Sequence, residues 1–302
     1  METIISIDSI TQLHEICGYE KPTHPLVTVM DISKINPVQE KTNVRVRQGF
    51  YAISMKSNVE AGMEYGRQYY DFQEGSLVFV EPNQIATYNI TTKGKEAEGW
   101  LLCIHPEFLR GSELAKKMDY YTFFSYDAHE ALHVSEVERN TLNNLVKSIQ
   151  NEITQNIDHF SRDLIINNLE LILNYSNRYY SRQFLTRTTK NKDVITEFHN
   201  LLKDRFQLAQ LEEQGIPSVK ELATSLGYSP YYLSDLLKKE TGKGTKEYIQ
   251  EHLLAKSKDL LISSEESVAN IGYLLGFEYP ANFSKFFKNM TGITPSKYRH
   301  VN

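Results

Sequence analysis

Two cysteines, Cys17 and Cys103, stand far apart in a chain of 302 residues, which excludes a disulfide framework and a thiolate zinc site. Each reads as a small apolar group of a core. No apolar run approaches the roughly 18 residues that a membrane-spanning helix needs. The opening METIISIDSITQLHE carries acids where a secretion signal needs a basic start and an apolar run. A reducing cytoplasm is therefore the expected location. GxGxxG, GxxxxGKS, GxSxG and CxxC are also missing, so nucleotide-phosphate binding and the commonest nucleophilic or thiol chemistries lack a warrant.

A strong excess of either charge is missing too, with 33 basic and 38 acidic side chains. Residues 1–189 hold 18 basic and 24 acidic groups, whereas residues 190–302 hold 15 and 14, so the acid excess belongs to the first part. Charge alone neither nominates nucleic acid nor excludes it. What is present is 40% apolar residues, enough to give each of two domains a core.

Between Arg45 and Cys103 the runs VRVRQGFYAISM, GSLVFVEP and EGWLLCI are short, β-branched or aromatic, and broken by Gly, Pro and Asn. They predict an all-β sandwich or small barrel. Ser135, with Glu138 three residues on, predicts a capping box, and Leu142, Leu145, Val146, Ile149 and Ile153 follow at helical spacing. A second helix is expected from about His159 to Phe184. These two helices either close one end of the barrel or pair across a dimer. The polar stretch beginning TRTTKNK, residues 186–192, reads as a linker between a first domain, 1–185, and a helical second domain, 193–302.

The clearest internal signal is a duplication. SVKELATSLGYSPYYLSDLLKKETG, residues 218–242, is repeated as SVANIGYLLGFEYPANFSKFFKNMTG, residues 267–292, first at an offset of 49 and then of 50. Each copy reads as a short helix, a turn at Gly227 or Gly276, and a second helix. Ala223 or Gly272 is small where the helices cross, and the turn glycine supplies the positive φ that ends the first helix. Ser229 and Pro230 suit the start of the next one. This is the helix-turn-helix pattern, whose second helix can enter a major groove.

Placed at 100° intervals, Phe283, Phe286, Phe287 and Met290 share one side of their helix, with Ala281, Lys285 and Lys288 opposite and Asn282 and Ser284 on the flanks. In the first copy Leu233, Leu236 and Leu237 face inward, while Tyr231, Asp235 and Lys238 face out, flanked by Tyr232, Ser234 and Lys239. Burial of the apolar side holds the polar side outward as a reading surface. A connector from about Lys246 to Leu261 predicts a rod about 24 Å long, in range to set two reading helices near the roughly 34 Å pitch of DNA.

These residues resemble the DNA-binding domain of the AraC/XylS family of bacterial transcription regulators. The resemblance covers about 193–300 and is most specific in SVANIGYLLGF, NFSKFFKNMTG and ITPSKYR. It implies an α+β chain of two domains, a cupin-like β-barrel with flanking helices and an all-α domain of about seven helices with two helix-turn-helix units joined by a long helix. It assigns Tyr231, Tyr232, Ser234, Asp235 and Lys238 to the first reading helix, and Ala281, Asn282, Ser284, Lys285 and Lys288 to the second. It further implies promoter DNA as partner, an activator's contact with RNA polymerase, a small-molecule effector and a homodimer through the first domain.

Two positions depart from the family pattern. Gly272 stands where alanine is usual, at a helix cost of about 1 kcal/mol, and Leu253 stands where arginine is common, so a contact with the DNA backbone is expected to be missing. The barrel resemblance is looser and rests on EYGRQYYDFQEGSLVFVEPNQ, which holds no histidine. Neither a metal nor a cofactor is expected, nor an enzyme. Arg45, Arg47, Tyr51, Tyr65, Tyr70 and Trp100 are the polar and aromatic candidates for lining an effector pocket.

HEALH, His129 to His133, satisfies the HExxH zinc-protease pattern, but it precedes the Ser135 cap and suits a strand or entry loop, which would not set both imidazoles on one helical face. Two rival classes remain: an effector-binding or protein-interaction module that does not touch DNA, and a cupin-type enzyme.

Overall fold

The computed structural model describes residues 4–36, 41–57, 75–90, 98–155, 158 and 160–301. The chain divides at Arg187 into two compact units, Met1–Arg187 and Thr188–Asn302.

In the first unit a short strand and helix, β1 (Ile5–Ile7) and α1 (Ile10–Ile16), precede β2 (Val27–Asp31), β3 (Lys41–Gln48), β4 (Tyr51–Ser57), β5 (Gly75–Val80), β6 (Ile85–Ile90) and β7 (Glu98–Ile104). Two short helices, α2 (Pro106–Leu109) and α3 (Glu113–Lys117), and three 3₁₀ turns lead to β8 (Leu132–Val134), α4 (Glu136–Thr154) and α5 (Ser161–Thr186). The strands form two sheets, β1-β3-β6 and β2-β7-β4-β5-β8, antiparallel throughout except for β1 beside β3. Among the described residues no strand belongs to both sheets. Among the described residues the strands therefore form two sheets and do not close the expected cupin-like barrel.

Alternation explains why the larger sheet is apolar on both sides. Met30, Ala52, Val80 and Cys103 pack with Val44, Val46 and Ile7 of the smaller sheet. The opposite face carries Ile53, Met55, Leu77, Phe79 and Leu102, all buried. There Phe79 meets Phe123, Phe124 and Tyr180 at ring separations of 4.5, 5.5 and 6.2 Å, and the Trp100 indole donates to Asn143 of α4 at 2.9 Å. The sheet is thus covered by strands on one side and by helices on the other.

The capping box expected at Ser135 is present: its hydroxyl accepts from the Glu138 amide at 3.3 Å, and the Glu138 carboxylate accepts from the Ser135 amide at 2.9 Å. Gln183 of α5 then acts as a surrogate strand. Its side chain accepts from His133 N–H at 2.8 Å and donates to Ala131 C=O at 3.1 Å. Ala128–Glu130 is a 3₁₀ turn and Leu132–Val134 a strand, so HEALH forms no α-helical face.

The second unit is helical: α6 (Thr188–Arg205), α7 (Leu208–Gln214), α8 (Val219–Ser225), α9 (Pro230–Thr241), α10 (Thr245–Ser263), α11 (Val268–Leu274), α12 (Pro280–Thr291) and α13 (Pro295–Val301). Eight helices stand where about seven are expected, and the stretch read as a linker is wound into the start of α6, with α5 ending at Thr186 just before it. Asn191, 2% exposed, donates to Glu240 of α9 at 2.7 Å, and Phe198 meets Tyr248 of α10 edge-on at 5.5 Å. Helix propensity and burial on α9 and α10 outweigh the polar composition that suggested a loop.

Candidate nucleic-acid interface

The sequence duplication is reproduced down to individual hydrogen bonds. In α8 and α11 the same six-residue closure ends the helix: Tyr228 N–H reaches Ala223 C=O, and Phe277 N–H reaches Gly272 C=O, both at 3.0 Å. Gly227 and Gly276 carry φ of 73° and 82°, the left-handed conformation that this closure requires. At the far ends of α9 and α12, Gly242 and Gly292 take φ of 82° and 80°, and Thr241 and Thr291 donate to Leu237 and Phe287 C=O at 2.7 and 2.8 Å. The local sequence therefore sets the angle between the helices of each unit twice, with the same chemistry.

The crossing points differ by compensation. In the first helix-turn-helix copy Ala223 sits beneath the leucine-backed α9. In the second, a Cβ added to Gly272 would lie 3.3 Å from Phe283 Cβ and 3.5 Å from the Pro280 backbone. The glycine that departs from the family pattern thus makes room for phenylalanine where the first helix-turn-helix copy has Leu233. Gly276 is also confined, since a Cβ there would lie 2.8 Å from Leu211 C=O and 2.9 Å from Gly215 Cα, whereas one at Gly227 would meet nothing within 4 Å.

α10 is the spine between the units. Ile249, Leu253, Ser257 and Leu261 form its buried stripe at four-residue spacing. Its 19 residues make a rod about 28 Å long, longer than expected because Thr245 and Ser263 belong to it. Leu253 is 3% exposed, so the side chain that replaces arginine serves packing. Behind it, Arg299 Nε donates to Leu261 C=O at 3.0 Å and Tyr298 meets Phe287 edge-on at 5.3 Å, so α13 braces α12 against α10.

The two reading helices present most of the expected side chains. Ala281, Asn282, Lys285 and Lys288 of α12 are exposed and Ser284 is half-buried. On α9, Tyr231 is 53% exposed and Lys238 is exposed, while Ser234 and Asp235 are half-buried. Tyr232 is a correction: it is 3% exposed and stacks on Tyr228 with ring centroids 5.4 Å apart. It lies one turn before Leu236 and covers it. Asn282 at the equivalent position leaves that flank open, so Phe286 is half-buried rather than buried, and Met290 is 38% exposed. Ser234 is turned toward the start of α10, with its hydroxyl 2.8 Å from where a Gly244 Cβ would stand.

Among the described residues no ion pair engages Lys238, Lys285 or Lys288, whereas Lys243 pairs with Glu251 at 2.7 Å and its hydrogen bond to that carboxylate raises its pKa. These ammonium groups give both helices a positive outer edge although residues 190–302 hold 15 basic and 14 acidic side chains, an excess of one. Sequence reasoning missed Tyr279, 58% exposed at the start of α12. It stands at the position of the capping Ser229, and only the turn geometry brings its ring to the surface.

In the first unit a cavity of about 230 Å³ is lined by His24, Leu26, Phe108, Asp158, Arg162 and Ile165, among others. Of the expected pocket residues, Arg45, Arg47, Tyr51 and Trp100 do not line it, and Tyr65 and Tyr70 lie outside the described residues. Arg47 instead donates to Asn83 at 2.8 Å and Ser6 at 2.6 Å on the outer face of β3. Burial lowers the His24 pKa, because desolvation disfavours the charged imidazolium.

Two helix-turn-helix units on a common spine define the second unit as a double helix-turn-helix domain. The family described as "Helix-turn-helix domain" matches residues 222–300. The HTH-type transcriptional regulator YtdP of Bacillus subtilis is 30% identical over 109 residues, which are 36% of this chain and 14% of that protein. The multiple antibiotic resistance protein MarA of Escherichia coli is 31% identical over 85 residues, 28% of this chain and 67% of MarA. A crystal structure of a transcriptional regulator with an AraC-type DNA-binding domain, from Chromobacterium violaceum, is 27% identical over 37% of this chain and 94% of its own, with a TM-score of 0.31. The chain belongs to the AraC-type family of helix-turn-helix transcription regulators. It nevertheless spans only 14% of YtdP, and the residues that match the family model, 222–300, lie in the second unit.

Proposed function

We propose that this chain is a sequence-specific double-stranded-DNA-binding transcription regulator, acting as an activator at bacterial promoters in the cytoplasm. The reading rests on one observation: α9 and α12 are built by the same closure, anchored by their apolar sides, and edged outward by lysines that no ion pair engages among the described residues. Lys238, Lys285 and Lys288 would meet phosphates, and Asn282 would hydrogen-bond a base edge in the major groove. Tyr231 and Tyr279 flank the same surface and add apolar contact to sugars or thymine methyls. Recognition is non-covalent, and no catalytic step is assigned.

The activator role implies contact with RNA polymerase, and the first unit is read as the regulatory part. Its cavity beside His24 and Arg162 supports control by a small-molecule effector, and its helical pair supports a homodimer. The test is selection of duplexes from a random pool by the full chain, followed by footprinting. Enrichment of one motif, with protection in two major-groove segments about one turn apart, is the expected result. Failure to enrich any motif would favour a protein-interaction module, which the even balance of 15 basic and 14 acidic groups in residues 190–302 also accommodates.

A further inference from the structure

Asn191 is buried in the first turn of α6, where a side-chain amide costs free energy unless its hydrogen bonds are made. Its Nδ2 donates to Glu240 Oε1 at 2.7 Å, and Glu240 lies half-buried in the last turn of α9. A carboxylate is disfavoured there, because it meets the negative end of the helix dipole. The end of α9 is closed without it, by Gly242 N–H on Lys238 C=O at 3.0 Å. α6 is itself fixed to the spine, with Phe198 edge-on to Tyr248 at 5.5 Å and Phe206 at 5.6 Å from the His252 ring. The hydrogen bond therefore ties the far end of a reading helix to a helix anchored on α10. The second copy is held differently: Met290 stands at the position equivalent to Glu240, and α12 is braced at that end by Phe287 against Tyr298 of α13.

We propose that Asn191 and Glu240 are positioning residues for DNA recognition, fixing the roll of α9 in its groove segment and leaving α12 untouched. The inference rests on the regulator reading above and adds two residues that make no contact with DNA. Asn191 is buried, and phosphate would repel the Glu240 carboxylate. Leu233, Leu236 and Leu237 hold α9 by apolar contacts, which have no direction and permit a small rotation about the helix axis. Such a rotation would carry Tyr231, Asp235 and Lys238 sideways together, whereas a recognition side chain has to be held to within about 0.5 Å. A hydrogen bond between two helices has direction, so it stops the rotation that the leucines allow.

The test uses the full chain and duplexes selected from a random pool, each then altered in one of the two protected groove segments. Asn282→Ala marks the segment read by α12. Asn191→Asp sets two carboxylates against each other, and is expected to lose about 10-fold in discrimination in the α9 segment while the α12 segment changes by less than about 2-fold. Glu240→Gln keeps an acceptor and should discriminate as the unmodified chain does. Combining the two exchanges donor and acceptor: the carboxylate at position 191 accepts from the amide at position 240, and the lost discrimination should return. A merely structural role would not give loss and return in one segment alone. Circular dichroism melting controls for folding. If Asn191→Asp does not fold, Glu240→Ala, made at a half-buried position, is expected to show the same loss in the α9 segment. Loss spread equally over both segments, a double variant no better than Asn191→Asp, or full discrimination by Asn191→Asp and Glu240→Ala would overturn the positioning role. An unmodified chain that enriches no motif would overturn the regulator reading itself, and the pair with it.

Discussion

Gly276 and Gly215 meet backbone to backbone: a Cβ on Gly276 would stand 2.9 Å from Gly215 Cα and 2.8 Å from Leu211 C=O. The turn of the second helix-turn-helix unit is thereby seated on the end of α7, while the matching turn at Gly227 stands clear. Two left-handed glycines with the same closure differ chiefly in what surrounds them.

Gly227→Ala should cost about 1 to 2 kcal/mol, the strain of a left-handed alanine. Gly276→Ala carries the same strain and a clash with backbone that cannot rotate away, so it should cost about 3 kcal/mol or more. Urea denaturation of the two variants measures the difference. Equal losses would show that the contact with α7 yields freely.

Gly272 and Phe283 should behave as a coupled pair. Gly272→Ala gains about 1 kcal/mol of helix propensity but presses a methyl group to 3.3 Å from Phe283. With Phe283→Leu, which restores the pairing of the first helix-turn-helix copy, the alanine should become stabilising. A double-mutant cycle in thermal or urea unfolding should give a coupling of roughly 0.5 to 2 kcal/mol, and additive effects would separate the two residues.

On DNA the two kinds of contact should part. Lys288→Ala should weaken binding to all duplexes and reduce the log-log salt slope by about 0.9. Asn282→Ala should leave the slope unchanged and reduce discrimination at one base pair by about 1 to 3 kcal/mol. Titration of matched and scrambled duplexes at several salt concentrations reads both. A reversal would exchange the roles of the two side chains.

Alkaline pH should destabilise the first unit through Cys17. Burial raises its thiol from 9.0 to about 11, so the folded state holds its proton longer than the unfolded state does. The resulting stability is fully present below pH 9 and is lost as pH rises through about 11, to a limit of about 2 to 3 kcal/mol. Denaturation from pH 8 to 11 should show a shallower loss in Cys17→Ala than in the unmodified chain. Parallel curves would assign the loss to other groups.

Much of the second unit was legible without coordinates. The repeat of Ala223, Leu226 and Gly227 in Gly272, Leu275 and Gly276 marks two helix-turn-helix units, because helix closure is a local matter of one glycine and a few carbonyls. The outward side of α12 was legible as well, since Phe283 and Phe287 leave Lys285 and Lys288 no inward position. Tyr232 was not. A tyrosine on a helix flank is consistent with either side, and the stacking on Tyr228 that buries it depends on the shape of the turn. Phe286 was misread for the same reason, as its cover in the first helix-turn-helix copy comes from Tyr232 and the second copy offers only Asn282.

The sequence by itself determined where the helices of each unit begin and end, because caps, turn glycines and apolar periodicity act over a few residues. Only the tertiary structure decided that the described strands lie in two sheets, that residues 188–192 begin a helix instead of a linker, and that Leu164, Leu171 and Leu185 of α5 remain exposed. Those outcomes depend on which surfaces meet across long stretches of chain. Apolar surface gains equally from any partner that excludes water, so periodicity marks a face for burial without naming what covers it.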